Sequence, residues 1–245
     1  MNQTWFYTLG SVFVVSIVSL IGILFITLKK QSLEKILMFL VSFSAGALMG
    51  GAFIHLLPEA VRESGFSVQI SAFVIFGILT FFVLEKIIFW RHCHIVTSAE
   101  HPHPFAYMNL IGDAFHNFID GMVIAGSFLV SAPLGLATTM AVFLHEVPQE
   151  IGEFGVLVHG GFSRSRALLL NFLCALTAFL GAILILVLNI EIKTITGILI
   201  PFTAGGFIYI AGSDLIPELK KDITPLNSLF QLLALLLGVG LMLVV

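Results

Sequence analysis

The stretch from Leu229 to Val245, LFQLLALLLGVGLMLVV, holds no charge and a single amide, Gln231. A run this long and this apolar does not suit a membrane β-strand, whose side chains alternate between lipid and lumen at period 2. It suits a helix whose whole circumference meets lipid or other apolar helices. A bilayer span needs about 20 such residues. Seven similar runs precede it. Together they place eight spans at roughly 5–28, 35–57, 66–90, 105–130, 133–160, 166–189, 194–217 and 226–245.

Composition points the same way. Of 245 residues, 58% are hydrophobic and 10% charged, whereas a soluble domain is about 45–50% apolar and about 25% charged. An ordinary soluble globule and a disordered chain are excluded. So is a disulfide scaffold, because Cys93 and Cys174 are the only cysteines. The net charge of −3 counts against a nucleic-acid partner. The fold class is all-α, a polytopic transmembrane helix bundle, read as one transmembrane domain over residues 1–245.

The basic residues set the orientation. Lys29, Lys30 and Lys35 follow span 1, Lys86 and Arg91 follow span 3, Arg164 and Arg166 follow span 5, and Lys220 and Lys221 follow span 7. The opposite loops hold only Arg62 and Lys193. Strict alternation of this kind is the positive-inside pattern, and it predicts both termini outside. The first run lacks a basic region before it and is read as a retained span rather than a cleaved signal.

An inverted repeat is visible. Ser44-Ala45-Gly46 through His55-Leu56-Leu57-Pro58-Glu59 aligns without gaps on Thr203-Ala204-Gly205 through Asp214-Leu215-Ile216-Pro217-Glu218. The first copy ends span 2, running outward, and the second ends span 7, running inward. Spans 1–3 and 6–8 are therefore read as repeats around spans 4–5, an arrangement that serves alternating access. Gly46, Gly50, Gly51, Gly205 and Gly206 are read first as close-packing positions.

Spans 4 and 5 carry charges that a lipid interior should exclude. Span 4 has Asp113, His116, Asn117 and Asp120; span 5 has His145, Glu146, Gln149, Glu150 and Glu153. A carboxylate at the bilayer centre costs at least about 2.5–3.5 kcal/mol. From His92 to Ser163 there is no lysine or arginine to pair with them. They must be protonated, wetted, or paired with a cation that is not part of the chain. Histidine beside carboxylates favours a borderline divalent metal over an alkali ion. His116 and Asp120 are four residues apart, as are His145 and Gln149, so each pair shares a helix face. The short link at Ser131, Ala132 and Pro133 makes the two helices antiparallel neighbours. Two facing stripes then hold one metal, or two that share Asp120 and Gln149. Pro148 frees a backbone carbonyl in mid-helix.

His116-Asn117-Phe118-Ile119-Asp120-Gly121 and His145-Glu146-Val147-Pro148-Gln149-Glu150 resemble the HNxxDG and HExPHE signatures of the ZIP (Zrt/Irt-like) divalent metal transporters, most closely the LIV-1 branch. His55-Leu56-Leu57-Pro58-Glu59 is similar to that branch as well. The resemblance covers essentially the whole chain. It implies a binuclear centre, with His116, Asp120, His145 and Gln149 in one site and Asn117, Asp120, Glu146 and Gln149 in the other. It also implies transport of zinc, or of iron, manganese or cadmium, toward the cytosol by an elevator-like movement, with the metal as substrate and no organic cofactor. Gln149 departs from the branch, which has histidine there. A neutral amide is a weaker and harder ligand, and implies looser zinc selectivity.

Further residues are expected along the path. His55 with Glu59 would line the outer mouth, and Asp214 with Glu218 the inner mouth. His92, Cys93, His94, His101 and His103 would form a metal-catching cytosolic loop. His159 would assist exit or simply sit between helices. Three other functions compete with this one. An intramembrane zinc protease would use HExxH, but its second histidine is missing at Gln149. A proton-coupled carrier of an organic solute explains the carboxylates but not the paired motifs. A metal sensor does not need the inverted repeat. The expected partners are divalent metal ions and the lipid bilayer, with a homodimer left open. The short loops suggest a bacterial inner membrane.

Overall fold

A computed structural model describes residues 2–26, 30–92, 102–188, 192–221 and 224–244. Eight helical rods account for nearly all of them. They are α1 (2–26), α2 (30–64), α3 (Val68–His92), α4 (Pro104–Val130), α5 (Ala132–His159), α6 (164–188), α7 (192–219) and α8 (Pro225–Val244). All but α4 and α5 contain a stretch long and apolar enough to cross a membrane. Those two are the longest regular helices, at 27 and 28 residues, and fall short only through their polar side chains.

The solvent-facing pattern of a soluble protein is reversed. Asp113, His116, Asn117, Asp120, Glu146, Glu150 and Glu153 are all buried, while Phe6, Phe13, Leu180, Val187, Leu236 and Leu243 are exposed. Only an apolar surrounding solvent makes that arrangement favourable, since it satisfies the polar groups inside and leaves hydrocarbon outside.

Local sequence sets the joints. The Ser131 backbone is extended, and its side chain accepts a hydrogen bond from the Leu134 amide at 3.3 Å. This cap, with Pro133 in the first turn, reverses the chain over a single residue. Ser163 caps α6 in the same way. Gly65, at φ 71°, ends α2 in a backbone region that disfavours any side chain.

The helix α2 runs through Pro58 to Ser64 instead of stopping near residue 57 as expected. A π-helical segment, Gly51–Leu56, lies immediately before the proline. The wider turn accommodates a residue that lacks an N–H and would crowd the carbonyl four positions earlier. The same device recurs at Ile210–Leu215, just before Pro217 in α7. Both segments lie at the same offset as the aligned sequence repeat.

The repeat also governs packing. The helix α2 packs along α8, and α7 packs along α3. A Cβ on Gly46 would lie 2.1 Å from the Leu235 carbonyl oxygen, and one on Gly205 would lie 2.1 Å from that of Val74. In return, Gly238 abuts the Phe43 carbonyl and Gly77 that of Phe202. The four notches correspond pairwise under the repeat. They make α2, α3, α7 and α8 one bundle. The helices α1, α4, α5 and α6 make another, closed by Gly121 against Ala178 and Gly181 against Phe118. The two bundles meet where α2 leans on α5 and α4 on α7. Small residues line that boundary: Gly152 lies against Ser44, Gly155 against Leu40, and Gly112 against Ile210.

Gly46→Val and Gly205→Val should each destabilise the folded protein by about 1–3 kcal/mol or more, because backbone must move to admit the side chain. Gly10→Val, where a Cβ meets nothing within 4 Å, is the control. Thermal melting in detergent checks this; equal melting of all three variants would refute the notch reading.

Candidate metal centre

The one-residue turn at Ser131 holds α4 and α5 side by side, so their polar stripes face each other. One ligand atom from each of His116, Asp120, His145 and Glu146 lies within 4.8 Å of all the others. His116 Nε2 is 3.2 Å from His145 Nε2, 3.4 Å from Asp120 Oδ2 and 3.3 Å from Glu146 Oε1. His145 Nε2 is 3.2 Å from Asp120 Oδ2 and 3.7 Å from Glu146 Oε1. Ligands placed about 2.0–2.1 Å from a tetrahedral zinc are about 3.3 Å apart. Five of the six separations, at 3.2–3.7 Å, are close to the edges of such a tetrahedron, and all four residues offer an atom within 4.8 Å of the others.

Gln149 adjoins this group, with its Nε2 at 3.2 Å from His116 Nε2. A half-turn of the amide presents Oε1, the only end of that group able to bind a metal. Asn117, next to His116 on α4, is fully buried but is engaged elsewhere. Its Nδ2 donates to Asp113 Oδ1 at 3.0 Å and to the Asp113 carbonyl at 3.2 Å, while its Oδ1 has no hydrogen-bond partner. The expected second ligand set is thus split, with Asp120, Glu146 and Gln149 at the centre and Asn117 turned toward Asp113.

A cavity of about 700 Å³ leads to the centre from the side where α2 ends and α4 turns into α5. The charge pattern makes this the outer side. His55, Glu59 and Arg62 line its approach, and His116, Asp120, His145 and Gln149 lie at its depth. The His55 ring sits 6.0 Å from that of His145, and its Nε2 is 2.7 Å from the Met242 carbonyl oxygen. His55 is beside the centre without belonging to the four-atom group.

Inward of Gln149, the described residues line a cavity of about 10 Å³, among them Ser44, Asn109, Asp113, Glu153 and Phe207. That is room for roughly one water. Glu153 accepts a hydrogen bond from Asn109. Glu150 accepts one from Asn171 at 2.5 Å, and Asn171 also donates to the Ser19 carbonyl. Glu150 is thereby held toward α6 and α1. Sequence reasoning missed both asparagines, although a lone amide in an apolar run is itself a signal of an interhelical partner.

Nearer the cytosolic end, Asp214 is buried in the π segment of α7, with one carboxylate oxygen lacking a hydrogen-bond partner. Glu218 pairs with His159 at 3.1 Å and with Lys221 at 2.5 Å. That pairing ties α7 of one bundle to α5 of the other. His103 lies nearby, its ring 4.6 Å from that of Phe105, and burial pushes its imidazole below the usual histidine value. His94, His101, Cys93 and the side chain of His92 lie outside the described residues.

A family profile described as ZIP Zinc transporter matches residues 2–105 and 91–245. The chain is 38% identical over 217 residues to zinc transporter ZIP13 of Pongo abelii, covering 83% of this chain and 65% of that protein. It is 30% identical over 311 residues to zinc transporter zipt-7.1 of Caenorhabditis briggsae, covering 99% of this chain and 79% of that one. It is 28% identical over 334 residues to zinc transporter SLC39A7 of Mus musculus, covering 98% and 69%. These relatives are animal proteins, so the expectation of a bacterial inner membrane draws no support from them.

Gln149→His supplies an imidazole where an amide now abuts His116. Zinc affinity should rise about tenfold or more, with a smaller gain for manganese, following the softer ligand. Competition titration against a chromophoric chelator measures both. Unchanged affinity and unchanged zinc-to-manganese ratio would rule out a ligand role for this position.

Proposed function

The chain belongs to the ZIP zinc transporter family, and from that premise we propose that it is a secondary transporter that moves a divalent metal ion, zinc first among them, across its membrane into the cytosol. One observation carries this reading. Two imidazoles and two carboxylates converge within 4.8 Å of one another beside a cavity of about 700 Å³, and a far smaller cavity lies on the inward side of Gln149. A water-filled approach wets an arriving ion on one face, and the buried ligands replace its hydration on the other.

The roles follow from position. His116, Asp120, His145 and Glu146 hold the ion, and Gln149 flanks them. His55 and Glu59 line its approach. Iron, manganese and cadmium are further substrates on this reading, since a mixed nitrogen and oxygen set selects weakly among first-row divalent ions. Asn117 is a candidate ligand for a second ion once its amide leaves Asp113.

An elevator-like step fits the bundles. All four ligands sit on α4 and α5, within one bundle, so a shift of that bundle carries the ion with it. The boundary it must slide along is lined by small residues, and the His159–Glu218 pair would part as the inner side opens. Both bundles together are read as one transmembrane transporter domain over residues 1–245. A protease reading is weaker, because Gln149 stands where HExxH needs its second histidine.

The test is uptake of zinc, manganese, iron and cadmium into proteoliposomes, for the native chain and for His116→Ala with Asp120→Ala. Loss of two of four ligands should reduce zinc flux by at least about 100-fold, at roughly tenfold per lost contact. Undiminished flux in the double variant would remove the centre from the mechanism.

A further inference from the structure

We propose that Asp113 and Glu153 form a second, oxygen-only cation site one helical turn inward of the His116–His145 centre, occupied by the divalent ion in transit. The proposal rests on the transport reading above. Asp113 precedes His116 by three residues and Glu153 follows Gln149 by four, so each sits about one turn further in along its helix. Both line the small closed cavity beneath the centre, and Gln149 borders this cavity and the large outer one. An ion leaving the centre inward passes Gln149 and arrives between these two carboxylates.

Hydrogen-bond accounting shows what the cavity lacks. The Asn109 amide donates to Glu153 Oε2, and the Asn117 amide donates to Asp113 Oδ1. Each asparagine thus fixes one carboxylate oxygen and leaves the other bare. Asp113 Oδ2, Glu153 Oε1 and Asn117 Oδ1 are all buried with no hydrogen-bond partner, and all three residues are over nine-tenths buried. Every unmatched atom is an acceptor. No lysine or arginine lies between His92 and Ser163 to serve them. Buried acceptors without a donor are costly, and a cation in the water-sized space that Asp113 and Glu153 both line would serve the unmatched oxygen of each.

The ligand chemistry gives the site its use. With oxygen donors and no nitrogen, it suits harder ions and holds zinc less firmly than the imidazole centre. A weaker station below a tighter one lets an ion move on instead of being trapped. Asn109 and Asn117 are positioning residues, since each holds one oxygen of a carboxylate.

Manganese serves as the probe, because it favours oxygen ligands and is paramagnetic. In full-length protein carrying His116→Ala and His145→Ala, monodisperse by size exclusion, electron paramagnetic resonance should detect bound Mn²⁺ without nitrogen couplings. Adding Asp113→Asn and Glu153→Gln should lower that occupancy about tenfold or more, the scale of a lost charge-assisted contact. In the otherwise native chain, Asp113→Asn with Glu153→Gln should slow zinc uptake by about the same factor, while zinc affinity at the centre stays within about twofold. Retained zinc binding shows that this variant folds. Equal Mn²⁺ occupancy with and without the two carboxylates overturns the site, and near-native zinc uptake overturns its place in transit. If zinc uptake survives His116→Ala with His145→Ala, the transport reading fails instead, and the Mn²⁺ comparison still decides whether the carboxylates bind a cation.

Discussion

The interior of this protein is built around negative charge that the chain does not neutralise. Asp113, Asp120, Glu146, Glu150 and Glu153 lie buried on two adjacent helices, and no lysine or arginine occurs between His92 and Ser163. In hydrocarbon this arrangement is affordable only if each oxygen has a partner or the site admits a cation. The fold meets the first demand in part. Asn171 holds Glu150, Asn109 holds Glu153, and Asn117 holds Asp113. Around Asp120 and Glu146 the partners are two imidazoles, which are themselves metal ligands. The unmet charge is thus concentrated along one line, from the outer cavity inward, and that line is where a divalent ion is most stabilised.

The rest of the architecture keeps this line intact and gives it two ends. The α4–α5 turn is one residue long, so the two stripes cannot drift apart. Glycine against carbonyl at Gly46, Gly205, Gly77 and Gly238 locks the flanking helices at backbone distance. Without a hydrophobic force between helices in lipid, such close contact is the main source of cohesion. The boundary between the bundles is lined by small residues as well. There Gly152 and Gly155 face Ser44 and the base of Leu40, so small residues bring the two bundles into close contact. Paired π segments before Pro58 and Pro217 place His55 and Asp214 at equivalent points, one toward each side of the membrane.

Much of this was legible in the sequence because lipid imposes a coarse code. A span must be long and apolar, so eight rods could be placed from composition alone, and lysines marked which loops alternate. The facing of His116 and Asp120 toward His145 and Glu146 followed from helical spacing and a three-residue link. The end of α2 was misread for a physical reason. Pro58 looks like a stop, and nothing in its neighbours announces that a wider turn will absorb it. Glu150 and Glu153 stood out by type, but the asparagine that holds one oxygen of each lies on another helix and spacing does not reveal it. Asn171 lies on α6, far from Glu150 along the chain, and only the folded packing brings it there. Asn109 is nearer in form, two turns before Asn117 on the same face, and was overlooked beside more conspicuous histidines.

Gln149 joins these threads. It borders the outer cavity, touches His116, and borders the closed cavity between Asp113 and Glu153. An imidazole there would add a third nitrogen donor on the boundary itself, deepening the centre and raising the cost of stepping past it. An amide is a neutral, weaker donor that rotates to offer either oxygen or N–H. On the proposed transport reading, the substitution that would loosen zinc selectivity would also lower the barrier between a nitrogen-bearing centre above and an oxygen-lined cavity below. Weak selectivity and easy passage would then be, at this position, one property of one side chain.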